Sequence, residues 1–287
     1  MRQIFRDQAL QDFYNPRGYI MAPMLTPDEV NNILSVLADM RPDDEFRPRS
    51  YDGKGLTYHC SFVDSNRVYR RQVYNLISQH FTPHVNRILN GYRILNANFY
   101  VKPPGHGEFV IHQNWPAITD LDDTTLTIWC PLVDVIEQNG AIQVVEGSHK
   151  LFPHVETLKT PSYFKLFEQT LIDSYLKSKP MKAGDSIIFD DGLIHWSANN
   201  NSDHPRIAIQ ILCIPENTQP AYWYYDENKP HQFELIEADT EFFLTNDIQD
   251  LLTRQAHWKS LGFAPNRNQV ISEQDFCRLM AQRIFNA

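Results

Sequence analysis

Cysteine is scarce in this chain of 287 residues. The four that are present stand far apart, at Cys60, Cys130, Cys213 and Cys277. None of them forms a CxxC pair, which excludes a thioredoxin-like redox motif and a zinc ribbon. A chain of this length buries roughly 75% of its unfolded surface, so it needs neither a disulfide nor a structural metal to fold. We therefore expect a reduced protein that is stabilised by its core.

Basic residues are also in deficit. The chain has 26 Lys and Arg against 35 Asp and Glu, which gives a formal net charge of −9 at pH 7. A protein that binds nucleic acid needs a basic face to neutralise phosphates. We therefore expect no nucleic-acid partner, although a single buried Arg can still bind a small ligand that carries a carboxylate.

Long apolar runs are missing as well. No window approaches the roughly 18 to 20 apolar residues of a membrane span. The first residues, Met1-Arg2-Gln3-Ile4-Phe5-Arg6, lack the apolar stretch of a signal peptide. We expect a soluble, cytoplasmic protein with no membrane partner.

The patterning predicts a mainly β protein with flanking helices, in a single domain over 1–287. Helical spacing dominates residues 1–91, where Thr26-Pro27-Asp28-Glu29 reads as a capping box. Short segments rich in β-branched and aromatic residues alternate with turns over 92–216, which indicates a sandwich or barrel core. A helical insertion over 162–178 interrupts this core, and helical patterns over 217–287 predict a C-terminal helical extension.

Three positions in the predicted strands carry the chemistry. His112 and Asn114 are two residues apart, a spacing that points both side chains to one face of a strand. His195 follows an apolar strand and a turn that contains Gly192. In the strand that starts at Arg206, the odd positions are isoleucine and suit a face packed on helices, whereas the even positions suit a lumen. Each of these histidines alone is more often structural, and an arginine after such a loop is usually on the surface; only their combination is informative.

These residues belong to a longer series of motifs that resembles the phytanoyl-CoA dioxygenase family of iron(II)- and 2-oxoglutarate-dependent oxygenases. The similarity covers roughly residues 15 to 215. The matching segments are Gly18-Tyr19, Val101-Lys102-Pro103-Pro104-Gly105, His112-Gln113-Asn114, Leu126-Thr127-Ile128-Trp129-Cys130-Pro131-Leu132, Asn139-Gly140, Gly147-Ser148-His149-Lys150, Gly184-Asp185, His195-Trp196-Ser197 and Arg206. The resemblance implies a double-stranded β-helix, that is, a cupin-like jelly roll. It also implies Fe(II), 2-oxoglutarate as cosubstrate, O2 and a small-molecule substrate, and it leaves the oligomeric state open.

The resemblance also implies roles for individual residues. His112 and His195 match the two histidine ligands of the iron. Arg206 matches the arginine that pairs with the distal carboxylate of 2-oxoglutarate, and Ser197 is similar to a hydroxyl that assists it. Trp129 corresponds to a tryptophan of the cosubstrate pocket, with plain core packing as an equal alternative. Asn98 and Thr127 correspond to further cosubstrate contacts. No catalytic residue is implied beyond the metal centre.

The sequence departs from the family at the third ligand. The usual facial triad has two histidines and a carboxylate, and here Asn114 stands at the carboxylate position. A neutral amide binds a divalent cation more weakly, so we expect a lower iron affinity. Four explanations remain open. Asn114 ligates the iron itself; a neighbouring acid (Glu108, Asp120, Asp122 or Asp123) supplies the charge; a halide occupies the position; or Asn114 marks an engineered substitution or an inactive enzyme.

The leading functional hypothesis is an oxygenase that hydroxylates a C–H bond of a small molecule. The competing hypothesis is a non-catalytic jelly-roll binding protein. A third is a halogenase-like variant that uses the vacant carboxylate position.

Overall fold

The computed structural model describes residues 2–43, 45–46, 49–51, 54–152 and 154–284. Antiparallel strands dominate these residues, and helices flank them. The strands are β1 (Tyr19–Pro23), β2 (Arg49–Tyr51), β3 (Lys54–Leu56), β4 (His59–Cys60), β5 (Tyr92–Lys102), β6 (Phe109–His112), β7 (Leu126–Pro131), β8 (Gln143–Val145), β9 (Leu176–Ser178), β10 (Asp185–Asp190), β11 (His195–Ser197), β12 (Arg206–Pro215), β13 (Ala221–Tyr225), β14 (Gln232–Glu237) and β15 (Ser260–Pro265). The helices are α1 (Gln8–Arg17), α2 (Pro27–Asp39), α3 (Arg67–Ile88), α4 (Glu168–Thr170), α5 (Thr240–Thr245), α6 (Ile248–Leu252) and α7 (Glu273–Ile284). Short 3-10 or π turns occupy Ser61–Val63, Glu137–Asn139, Ser148–Lys150, Lys165–Phe167 and Leu171–Tyr175.

Two sheets form the core. The larger sheet has the strand order β1-β10-β7-β12-β5-β4, and the smaller sheet has the order β6-β11-β8-β9. Trp129 and Ile187 of the larger sheet share a buried hydrophobic cluster with Val144 of β8 in the smaller sheet and with Ile142, which directly precedes β8. This two-sheet antiparallel arrangement confirms the predicted jelly roll with flanking helices.

Strand β12 shows how the alternation of side chains divides inside from outside. Ile209 and Ile211 face outward and pack with Val73 and Ile77 of α3, while Arg206, Gln210 and Leu212 line the cavity between the sheets. A strand presents successive side chains to opposite faces, so one strand can serve both the core and the lumen. The predicted division of this strand into an apolar outer face and a polar lumen face is confirmed.

Helices α1 to α3 cover the outer face of the larger sheet. The capping box at the start of α2 is present, because Glu29 N donates to Thr26 Oγ1 at 3.3 Å and Thr26 N donates to Glu29 Oε2 at 2.8 Å. Helix α3 runs on through Pro83. Within the described ranges, no helix combines the length and the apolar character that a membrane span requires.

The C-terminal part differs from the prediction of a helical extension over 217–287. Strands β13, β14 and β15 form a three-stranded antiparallel sheet there, and only α5, α6 and α7 are helical; residues 285–287 lie outside the described part. The aromatic run of β13 favours a strand, because such side chains fit a pleated, half-buried surface. The helical prediction gave too little weight to that run. The insertion over 162–178 is helical only in short turns and ends in strand β9.

Candidate active site

Two histidines meet on neighbouring strands of the smaller sheet. His112 on β6 and His195 on β11 are register partners, and their ring centroids are 4.1 Å apart. His112 Nδ1 lies 2.8 Å from Val110 O, and His195 Nδ1 lies 2.8 Å from Leu193 O. Because a carbonyl oxygen can only accept, Nδ1 of each ring carries the proton and Nε2 carries the lone pair. Backbone carbonyls that accept from Nδ1 in this way orient a histidine so that its Nε2 can bind a metal ion.

The environment keeps both imidazoles neutral. Burial lowers the pKa of His112 to about 4. Burial also lowers the pKa of His195 well below its usual value, and the neighbouring His112 adds to this effect. Metal ligation requires a neutral imidazole, so the pair can bind a divalent cation near pH 7 without first releasing protons.

Asn114 follows β6 and turns its side chain toward the same place. Its Nδ2 donates to Thr127 Oγ1 at 2.8 Å and to Asp191 Oδ1 at 3.0 Å. Because Nδ2 is directed at Thr127 and Asp191, Oδ1 lies on the other side of the amide; the Asn114 side chain also interacts with His112 and opposes the lowering of the His112 pKa by burial. An amide oxygen and an imidazole lone pair face each other here, and two such acceptors fit a shared cation.

The neighbouring acids considered from the sequence do not complete the site. In the part of the chain that the structure describes, no group of three His, Cys, Asp or Glu side chains is arranged to hold a metal ion. Asp123 instead pairs with Arg2, with 2.9 Å between Asp123 Oδ2 and Arg2 Nη1, and Glu108 has an exposed side chain. The site is therefore two histidines and one amide.

Arg206 enters the lumen from the larger sheet. Its side chain is only 2% exposed, and its Nε and Nη1 have no hydrogen-bond partner among the described residues. The guanidinium carbon lies 5.2 Å from the centroid of the Trp129 ring. Burial lowers the pKa of Arg206 to about 9, which still leaves the group charged at neutral pH. A buried cation with unused donors fits an anionic ligand, and the planar fork of a guanidinium matches a carboxylate.

Ser197 and Lys102 meet beside this cation. Lys102 is the register partner of Arg206, and its Nζ donates to Ser197 Oγ at 2.6 Å and to the carbonyl oxygen of Ala198 at 2.7 Å. Burial, with the charge of Arg206, lowers the pKa of Lys102 to about 5. The sequence analysis assigned Ser197 to the cosubstrate and overlooked Lys102. The alternation along β5 from Asn98 to Lys102 was the signal that places this lysine on the lumen face.

The remaining predicted site residues all line the same cavity. Asn98 lies opposite Gln210 in the sheet, and Trp129 packs under Arg206. Thr127 bridges two side chains, since its Oγ1 accepts from Asn114 and donates to Asp191 Oδ1 at 2.6 Å. Asp191 is a functional candidate that sequence reasoning missed.

The cavity extends outward from the histidines into an aromatic region and has a volume of about 320 Å³. Tyr58 packs against Phe109 and Tyr100, with ring centroids 5.3 and 6.0 Å apart. Glu156 is the one acidic side chain among the residues that line the described cavity, and burial raises its pKa to about 7. Its Oε2 accepts from Gln113 N at 2.7 Å. The cavity therefore combines the buried cation Arg206 with a largely aromatic wall.

Comparison with known proteins gives a family and a fold. The sequence profile of the phytanoyl-CoA dioxygenase family (PhyH) matches residues 17–208. A Dictyostelium discoideum protein named for phytanoyl-CoA dioxygenase is 29% identical over 160 residues, which cover 54% of this chain and 43% of that protein. Phytanoyl-CoA dioxygenase domain-containing protein 1 of Danio rerio is 28% identical over 141 residues, which cover 45% of this chain and 48% of that protein. The chain thus spans about half the length of the curated relatives it matches.

Among solved structures, the fold is similar to that of SnoN, an epimerase of nogalamycin biosynthesis solved with Fe3+, alpha ketoglutarate and nogalamycin RO. The TM-score is 0.51 at 21% identity, and the match covers 75% of this chain and 86% of SnoN. The family match extends over more than half of the chain and confirms the resemblance inferred from the sequence motifs. The chain belongs to the phytanoyl-CoA dioxygenase family.

Proposed function

We propose that this chain is an iron(II)- and 2-oxoglutarate-dependent dioxygenase that hydroxylates a C–H bond of a small molecule. The observation that carries the proposal is Arg206, a buried cation with two unused donors in the same cavity as a preoriented histidine pair. A structural arginine at this depth is normally paired, because an unpaired buried charge is costly. A carboxylate ligand accounts for it.

The donor set fits iron(II). His112 and His195 offer imidazole nitrogens, and Asn114 offers an amide oxygen; these are ligand types that suit a first-row divalent metal. Three protein ligands would leave the metal open to the cosubstrate and to O2. When bound, iron(II) and 2-oxoglutarate supply an oxidant that removes hydrogen from an unactivated C–H bond, while O2 is consumed and succinate and CO2 are released.

The protein holds the cosubstrate at its distal end. Arg206 pairs with the distal carboxylate of 2-oxoglutarate through guanidinium N–H groups that have no partner among the described residues, and Trp129 supports the planar guanidinium from one face. Lys102 fixes the Ser197 hydroxyl and the adjacent backbone beside this pair. The side chains that would position the cosubstrate are therefore already in place.

The outer cavity receives the substrate. Its apolar wall, with Tyr58, Tyr100, Phe109 and Trp115, keeps water away from the reacting centre and favours a compact, largely apolar molecule. SnoN, which has a similar fold, is an epimerase solved with a small natural product. Epimerisation is therefore the second reaction to examine in the product analysis.

Anaerobic titration with iron(II) and then 2-oxoglutarate tests the proposal. The dioxygenase gives a weak visible charge-transfer band that saturates with 2-oxoglutarate and is lost in His112→Ala. A non-catalytic binding protein gives no band. Repeating the titration with chloride examines the halogenase-like alternative, which predicts that chloride shifts the band. Asn114 fills the position that a halide would need, so we expect no shift.

A further inference from the structure

A second carboxylate, that of Asp191, contacts Asn114, which stands at the position of the family's third ligand. Asp191 is 3% exposed, and its Oδ1 accepts from Asn114 Nδ2 at 3.0 Å and from Thr127 Oγ1 at 2.6 Å. Its Oδ2 is buried, and the Thr125 side chain also interacts with the carboxyl; burial raises the pKa of Asp191, and the hydrogen bonds from Thr125, Thr127 and Asn114 oppose that rise. A carboxylate surrounded by donors and directed at a candidate ligand is not explained by packing alone.

We propose that Asp191 is a positioning residue that supplies, through the amide of Asn114, the negative charge that the ligand set lacks. The inference rests on the proposed function, because it concerns the same metal site. It gives a physical reason why an amide can stand at the ligand position of this chain.

Hydrogen bonds fix the orientation of the amide. Asn114 Nδ2 donates to the adjacent acceptors Thr127 Oγ1 and Asp191 Oδ1, and the backbone of Asn114 also donates to Asp191 O at 2.8 Å. A flipped amide would place its oxygen against the carboxylate and lose both bonds. Oδ1 is therefore held on the side of His112, where a metal ion needs an electron pair.

The carboxylate also changes the strength of the ligand. A charged acceptor on the amide nitrogen draws electron density onto Oδ1, and the negative charge itself attracts a divalent cation across a poorly screened, buried distance. Groups behind a metal ligand commonly contribute 10- to 100-fold to metal affinity. Asn114 and Asp191 together thus resemble a carboxylate ligand whose charge lies farther from the metal.

The adjacent aspartate offers a matched control. Asp190 lies on the same turn, but its Oδ2 accepts from Tyr14 Oη at 2.7 Å and its Oδ1 accepts from Gly192 N at 2.8 Å. Its carboxylate is partly buried, and its contacts lead away from Asn114. Removing its charge changes the net charge of the protein by the same amount.

The test measures metal affinity, with cobalt(II) and iron(II) titrated anaerobically into the metal-free protein in the absence of 2-oxoglutarate. Asp191→Asn is expected to weaken binding by about 10- to 100-fold, whereas Asp190→Asn is expected to stay within about 3-fold of wild type. The exchange variant Asn114→Asp/Asp191→Asn keeps the total charge and moves it to the ligand position. It is expected to bind at least as tightly as wild type and to alter the cobalt(II) absorption spectrum.

Two results would overturn the inference. One is an Asp191→Asn variant that folds and binds both metals as wild type does. The other is an exchange variant that binds no more tightly than Asp191→Asn or, should that single variant not fold, more weakly than wild type. His112→Ala separates this failure from failure of the proposed function, because metal binding by the wild type that does not depend on His112 contradicts the metal site itself.

Discussion

Replacing Arg206 with methionine separates a cosubstrate anchor from a structural residue. Methionine retains much of the side-chain volume and removes the charge together with both unused donors, Nε and Nη1. If the guanidinium binds the distal carboxylate of 2-oxoglutarate, the variant loses a buried, charge-assisted pair. Truncating one partner of such a pair costs about 2 to 5 kcal/mol, which corresponds to a roughly 30- to 4,000-fold weaker affinity for 2-oxoglutarate.

The stability of the ligand-free protein is expected to move in the opposite direction. In the absence of 2-oxoglutarate the charge of Arg206 is buried without an ionic partner, and the contact with Trp129 returns only about 0.5 to 2 kcal/mol. Because an uncompensated buried charge costs more than that, Arg206→Met should unfold in urea at an equal or higher concentration than wild type.

Two measurements decide between the readings. The affinity comes from anaerobic titration of the iron(II) protein with 2-oxoglutarate, and the stability comes from urea denaturation of the metal-free protein. Arg206→Lys is the control, since it keeps the charge without the planar fork and is expected to lie between the two. A variant with unchanged 2-oxoglutarate affinity and a clearly lowered unfolding free energy would show that Arg206 is structural.

Three further predictions follow from the charges in the lumen. Asn114→Asp alone places two carboxylates in contact, because Asp191 Oδ1 lies 3.0 Å from Asn114 Nδ2. The metal-free variant should therefore lose unfolding free energy at pH 7 and recover it near pH 5, where one carboxylate takes up a proton. A difference in urea midpoint that does not change with pH would contradict this. The pKa of Lys102 is lowered to about 5 in the folded protein. Above that pH the unfolded state binds one more proton than the folded state, so the unfolding free energy of the wild type should rise with pH by up to about 1.4 kcal/mol per pH unit. Lys102→Met should remove this slope. The pKa of Glu156 is raised to about 7 in the folded protein, so its contribution to the unfolding free energy should fall as pH rises from about 4.5 to 7. Glu156→Gln should abolish this loss in the same urea denaturation series. A variant with the same pH profile as wild type would refute the prediction.

Much of the site could be predicted from the sequence because it depends on strand alternation. The spacing of His112 and Asn114 and the even positions after Arg206 determine which side chains face the lumen once the segments are strands. The core strands from β5 to β12 fall within the predicted β region over 92–216. The motifs of the family then identify the lumen as a metal site.

Contacts between distant turns could not be predicted in the same way. Asp191 lies 77 positions from Asn114, and its side-chain direction depends on a turn in which the adjacent Asp190 points elsewhere. No local pattern distinguishes the two aspartates. The strands after Ala221 were missed for a different reason, since apolar residues in short segments satisfy helical and strand spacing equally well.

The most direct test of the central claim is the formation of succinate from 2-oxoglutarate by purified protein supplied with iron(II) and O2. The account predicts succinate in step with the O2 consumed, with turnover abolished in His112→Ala and requiring far more 2-oxoglutarate in Arg206→Met. A wild-type protein that binds iron(II) and 2-oxoglutarate but forms no succinate in the presence of O2 and of a range of small apolar substrates would contradict it.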